Sequence, residues 1–176
     1  MESAFHDTES ELVLRINAAS DAECRRRLQP CLDIPRWYTA FADLRPFADD
    51  DAIRAAVFSA AAPLTASEID RALQVHPRIG ERPAGDDEHA AHARTEQAGV
   101  DVTEADTLRR IRSGNIAYER RFGRVFLVRA AGRDASAILA ALDERLANDP
   151  ETELRTVEQQ LREIAALRVE KAFADV

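Results

Sequence analysis

Glycine is scarce in this chain of 176 residues: there are six, and none falls in the glycine-rich pattern that cradles a phosphate. Lysine is scarcer, since Lys171 is the only lysine among 24 basic residues and the rest are arginines. So uniform a choice looks like coding bias as much as function, and only an arginine's position along a helix carries an argument. Cysteine is limited to Cys24 and Cys31, two helical turns apart, with no CxxC and no companion pair. That excludes a disulfide framework and predicts reduced core thiols in an intracellular, bacterial-type cytoplasmic protein. No apolar run approaches the length of a membrane span, and nothing near Met1 has a basic start followed by an apolar stretch. The final Ala174-Asp175-Val176 is not a peroxisomal address. A net charge of −8 argues against nucleic acid or an anionic membrane as the main partner. A small polar or anionic metabolite would have to meet a locally basic pocket instead.

What is there is ordinary for a soluble globular protein, with 45% apolar and 32% charged residues, so disorder is not expected. Helical signals dominate, and strand alternation is nearly absent. Thr8 with Glu11 reads as a capping box opening a helix through Leu12 and Ile16. Asp21 opens a second, carrying Cys24, Leu28, Cys31 and Leu32. Pro35 suits a helix start, with Trp37, Phe41 and Leu44 at helical spacing before Pro46. Asp49 or Asp50 caps a helix facing inward through Ile53, Val57 and Ala60. Thr65-Ala66-Ser67-Glu68 is another capping box, and Ile69 and Leu73 carry its helix towards His76.

Arg82 to Asp87 is the clearest loop, and Asp87 is expected to cap a helix running to Gln97 or Ala98, with Gly99 closing it. Thr103 and Glu104 open a longer helix through Leu108, Ile111, Asn115 and Tyr118, ended by Phe122-Gly123. Val125-Phe126-Leu127-Val128 is the one β-like run. Ser136 is expected to cap the helix of Ile138, Leu139, Leu142 and Leu146, and Asn148-Asp149-Pro150 breaks the chain before the last helix. With no repeats and no linker, the pattern predicts an all-α single domain over 1–176. It has eight or nine short helices and one short extended segment near 124–130.

Three residues invite chemistry. In the last helix Leu154, Val157, Leu161 and Ile164 advance by three or four, and the next step lands on Arg168. A guanidinium facing a core must meet a carboxylate, carbonyls or a bound anion; the plain alternative is a fraying end reaching solvent. His76 stands before Pro77, which pushes it out of helical geometry just past a helix end. It is either a cap or packing residue or a positioned proton donor, with Glu96 returning twenty positions later as an orienting carboxylate. His89, His92 and Glu96 share one helix face and, with His76, offer a four-ligand metal reading, although no spacing matches a strong metal motif. No Ser/His/Asp or Cys/His signature is present.

The whole chain resembles the 2-oxo-4-hydroxy-4-carboxy-5-ureidoimidazoline (OHCU) decarboxylases of ureide metabolism. The matching words are Ile16-Asn17-Ala18, the Trp37 region followed by Arg45-Pro46-Phe47, His76-Pro77-Arg78-Ile79-Gly80 and Glu96-Gln97-Ala98-Gly99. They continue with Asn115 to Gly123, Phe126-Leu127-Val128 and Leu167-Arg168-Val169, in family order from about Ile16 to Val169. The resemblance implies an all-α, usually dimeric enzyme that needs neither metal nor organic cofactor and releases (S)-allantoin. It makes His76 the catalytic histidine, with Pro77 beside it in the substrate site. Glu96 and Gln97 resemble the substrate-holding pair, Glu96 sharing in catalysis. Backbone groups of Phe126, Leu127, Val128, Arg129 and Ala130 would contact substrate, and Arg168 would be the site arginine. Ala93 departs from the pattern, because many members carry a serine there. The alternatives are a related helical decarboxylase acting on another ureido or imidazoline carboxylate, and a catalytically silent helical interaction module.

Overall fold

The computed structural model describes residues 10–80 and 105–174. Among these residues the chain forms eight helices and no strand. They are α1 Glu11–Ala18, α2 Asp21–Leu28, α3 Pro35–Asp43, α4 Asp50–Ser59 and α5 Ala66–Leu73, then α6 Ala105–Phe122, α7 Ala135–Leu146 and α8 Pro150–Ala174. The all-α expectation holds, but α8 is 25 residues long, not short. The helix expected between Asp87 and Ala98, and the Thr103-Glu104 start of α6, lie outside the described residues. No helix among the described residues is long and apolar enough to cross a membrane.

Side chains that accept from the first free backbone N–H groups set most helix starts. Ser10, not Thr8, caps α1 by accepting from Val13, and Ser20 caps α2 one residue before Asp21. Asp49 caps α4, and Thr65 with Glu68 forms the complete capping box of α5. Asp134, not Ser136, caps α7: its carboxylate accepts from the Ala137 N–H, and Ser136 lies inside the helix. An aspartate adds a negative charge at the positive end of the helix dipole, which a serine cannot. Asp149 plays the same part for α8, accepting from Glu151 and Thr152 at 3.0 and 2.9 Å. Two further expectations need correcting. Cys31 and Leu32 are buried but lie past the end of α2, and Leu44 is 50% exposed because α3 ends at Asp43.

Two apolar clusters form the interior. The larger joins the inward faces of α1 to α5 with Val157, Leu161, Ile164 and Val169 of α8. The smaller gathers Ile111 and Tyr118 of α6 with Ile138, Leu139 and Leu142 of α7. At Gly114 of α6 a Cβ would stand 2.5 Å from Leu142 Cδ2, so a glycine is what lets these two helices approach closely.

The expected extended segment runs between the clusters. Its side chains alternate as an extended backbone requires. Val125 and Leu127 pack into the larger cluster, and Phe126, Val128 and Ala130 into the smaller. The β-like composition of this run thus reflects burial on both faces, without a strand partner among the described residues.

Arginines fasten these elements through helix ends. Arg45 donates to the Ile16 and Ala19 carbonyls at the end of α1, at 3.1 and 2.6 Å. Next to it, Asn17 clamps the Phe47 backbone with two hydrogen bonds of 2.9 and 2.8 Å. Arg162 of α8 donates to the Val57 and Ala60 carbonyls at the end of α4, at 2.9 and 3.0 Å. Arg27 reaches Ala172 O at 3.1 Å and lies 5.3 Å from the Phe173 ring centroid, closing the end of α8. The last turn of a helix has unused carbonyls and a negative dipole end, and a planar fork of donors answers both.

Candidate active site

His76 follows α5 by three residues, and its backbone N–H turns back to the Leu73 carbonyl at 3.0 Å. It is 9% exposed. The turn that follows crosses from one apolar cluster to the other: Leu73 belongs to the larger and Ile79 to the smaller. The Phe126 to Ala130 segment runs between the same two clusters. Asp70 of α5 forms an ion pair at 3.0 Å with Arg124, just before that segment.

Arg168 is 1% exposed, which rules out the fraying-end alternative. Its Nη1 lies 3.4 Å from the Pro30 carbonyl, between α2 and α3. α8 also packs against α5, the helix that leads to His76. On the buried face of α8, Glu153 is 0% exposed, with Val157, Leu161 and Ile164 between it and Arg168, and Val169 and Phe173 beyond.

The Phe126 to Ala130 backbone is partly committed to the protein itself. The Leu127 carbonyl accepts from Arg145 Nη1, and the Arg129 N–H donates to Gln160 Oε1 at 2.8 Å. Those two groups hold the segment's register. Arg129 directs its side chain towards Glu163 in an ion pair at 3.4 Å.

Arg145 anchors a buried polar network that sequence reasoning missed. It pairs with Glu153, whose Oε1 also accepts from the Tyr118 hydroxyl, and Glu153 Oε2 accepts from Asn148 Nδ2 at 2.8 Å. The Arg145 guanidinium lies 4.8 Å from the Phe126 ring centroid. Burial, together with the Glu153 carboxylate, pushes the Tyr118 hydroxyl above its ordinary pKa, so it remains a donor to that carboxylate. A signal for the network existed: one helical step of four back from Val157 is Glu153, although Leu154 looks the more natural start of the stripe.

Glu96, Gln97 and Ala93 lie outside the described residues, as do His89 and His92 of the metal reading. Among the described residues no three metal-ligating side chains gather. A hollow of about 500 Å³ lies among α1, α4 and α8, lined by Arg15, Asp50, Arg54 and Phe173 among others, and includes neither His76 nor Arg168. Its volume alone does not make it the reaction site, because it lacks both groups that the chemistry singles out.

The fold is that of an all-α protein with a buried histidine on a helix-terminal turn and a buried arginine on its last helix. The OHCU decarboxylase family profile matches residues 17–170, and the chain belongs to that family. It is 30% identical to the 2-oxo-4-hydroxy-4-carboxy-5-ureidoimidazoline decarboxylase of Haloferax volcanii, over 74% of this chain and 76% of that protein. It is 33% identical to the Arabidopsis thaliana uric acid degradation bifunctional protein TTL, over 59% of this chain and only 33% of that longer protein. Among solved structures, OHCU decarboxylase crystallised in the presence of (S)-allantoin aligns with a TM-score of 0.66 at 25% identity. That alignment covers 89% of this chain and all of the other. An (S)-allantoin synthase structure gives the same TM-score at 18% identity, covering 92% of this chain and 54% of the other, and speaks for the fold alone.

Proposed function

We propose that this chain decarboxylates OHCU to (S)-allantoin, with His76 governing the proton and Arg168 holding substrate. The family match over residues 17–170 carries the proposal, and the burial of both side chains supports it. The C–C bond to the carboxylate breaks and carbon dioxide leaves. The electron pair passes into the adjoining C5=N1 bond and leaves a C4–C5 enol or enolate at the 4-hydroxyl, and one proton returns to one face of C5 as that oxygen becomes the C4 carbonyl. The protein's task is to orient that bond perpendicular to the ring, stabilise the enolate and deliver the proton from one side. Positioning and fixed dipoles can supply most of such a barrier reduction.

An imidazole titrates near neutrality and can pass a proton in either direction, which suits His76 to this task. Glu96 accepts from ureido or ring N–H groups in this scheme, and Gln97 donates to substrate oxygens. Pro77 and the Phe126 to Ala130 backbone complete the wall, while Ala93 leaves that place without a hydroxyl. The ring's own C5=N1 bond is the electron sink, so the scheme calls on no metal or organic cofactor. A homodimer in the cytoplasm, acting on this small molecule alone, completes the proposal. The buried thiols of Cys24 and Cys31, not joined in a disulfide, fit a reducing compartment.

The test follows (S)-allantoin by circular dichroism from freshly generated OHCU. His76→Asn is expected to abolish turnover with the melting temperature kept, and an active variant would remove the central role. Arg168→Lys keeps the charge but loses the fork, so KM should rise by about tenfold or more. An unchanged KM would end the assignment of Arg168 as a ligand.

A further inference from the structure

The turn after His76 lies along α6 in three successive contacts. A Cβ at Gly80 would stand 3.8 Å from Ile111 Cγ2. The Ile79 carbonyl accepts from Asn115 Nδ2 at 3.1 Å. Arg78 grips Glu119 with both Nε and Nη2, the latter at 2.8 Å. Residues 80, 79 and 78 thus meet 111, 115 and 119, each one helical turn after the last, so the turn runs antiparallel to one stripe of α6. Gly80 ends the run with φ at +81°, a left-handed backbone that a side chain would strain.

We infer that Glu119, with Asn115, is a positioning residue for His76: the α6 stripe fixes the Pro77 to Gly80 turn and so aims the imidazole. This rests on the reading that His76 governs protonation. Two observations separate placement from plain stability. The Arg78 and Glu119 side chains are 46% and 26% exposed, and an ion pair that open to water adds little to folding. A two-point grip between a guanidinium and a carboxylate is nevertheless strongly directional. Asn115 is 3% exposed, and its Oδ1 has no hydrogen-bond partner among the described residues. Its bond to the Ile79 carbonyl thus holds the turn from a buried side chain that water does not screen.

The experiment compares wild type, His76→Asn, Glu119→Gln, Glu119→Arg, Arg78→Glu and the double variant with Arg78→Glu and Glu119→Arg. All are assayed on freshly generated OHCU, with melting temperatures measured in parallel. Glu119→Gln is expected to lower kcat by about 10- to 100-fold, the scale of a displaced catalytic group. KM should stay within about twofold and the melting temperature within about 3 °C, as for an exposed pair. The double variant should recover most of the lost kcat, which neither of its single changes does. Wild-type kcat in Glu119→Gln beside a dead His76→Asn would overturn the positioning role alone. So would a loss accompanied by a matching rise in KM and a large fall in melting temperature, or a double variant no better than its singles. An active His76→Asn overturns the reading beneath the proposal and the proposal with it.

Discussion

The two apolar clusters treat buried charge differently. Around the larger one, Arg45 and Arg162 direct donors to neutral carbonyls at helix ends, and their carboxylate partners keep access to water, wide for Asp21 at 71% exposed and narrow for Glu158 at 16%. Beside the smaller one, Arg145 and Glu153 are 7% and 0% exposed and meet inside the protein, with Tyr118 and Asn148 filling the remaining places on the carboxylate. An arginine on a carbonyl leaves a dipole behind when it is removed. A buried pair leaves a whole charge. The second region should therefore be far more brittle than the first, although it has fewer apolar residues to lose.

The largest expected effect tests that directly. Glu153→Gln leaves Arg145 buried without its counter-charge and should cost about 3–5 kcal/mol in chemical denaturation. Replacing both partners with apolar residues, Arg145→Met with Glu153→Leu, should recover much of this loss, because neither charge is then stranded. Leu127 O would still lose its donor, so some loosening of the extended segment should persist as a raised KM. A loss below about 1 kcal/mol for Glu153→Gln would mean that water reaches the pair and the contrast between the regions is false.

A smaller effect is expected where an arginine serves a helix end. Arg162→Leu removes the donors to Val57 O and Ala60 O, but Glu158 keeps the Leu64 N–H at 3.0 Å and retains access to solvent. The loss should be about 2 kcal/mol, that of orphaned carbonyls with no stranded charge. If denaturation shows Arg162→Leu as damaging as Glu153→Gln, the distinction between capped dipoles and paired charges fails.

Much of the larger region was legible because its signals are local. Pro35 at a helix start, Asp49 as a cap and the Thr65 to Glu68 box each depend on residues within one turn, and all three stand as expected. The cap misassignments at Thr8 and Ser136 have the same origin: a better-placed Ser10 or Asp134 stood two residues away. Arg168 was legible as a break in an apolar stripe, since only burial makes that step of the pattern unusual. The Arg145 to Glu153 pair was legible only at Glu153, four residues before Val157, because its partners come from α6, α7 and α8 and no spacing along the chain encodes their meeting. The antiparallel match of Arg78, Ile79 and Gly80 to Glu119, Asn115 and Ile111 was hidden for the same reason, although each stretch is conspicuous by itself.

The smallest effect concerns a pair at the start of the helix that leads to His76. Glu68 closes the α5 capping box and receives Arg36 at two points, Nε to Oε1 at 2.8 Å and Nη2 to Oε2 at 2.7 Å. The Arg36 hydrogen bond, followed by those from Thr65, lowers its pKa from an ordinary value of 4.5 to about 2. A carboxyl depressed in the folded state contributes stability that is present above its unfolded value and lost as pH falls through the folded one. Arg36 is 46% exposed, so solvent screens the pair and the contribution at neutral pH should be about 1 kcal/mol. Glu68→Gln should therefore lie about that much below wild type at pH 7, with the gap closing between about pH 4.5 and pH 2. Denaturation curves across that window check it: a gap that persists unchanged at the acid end would assign the loss to capping geometry rather than to charge.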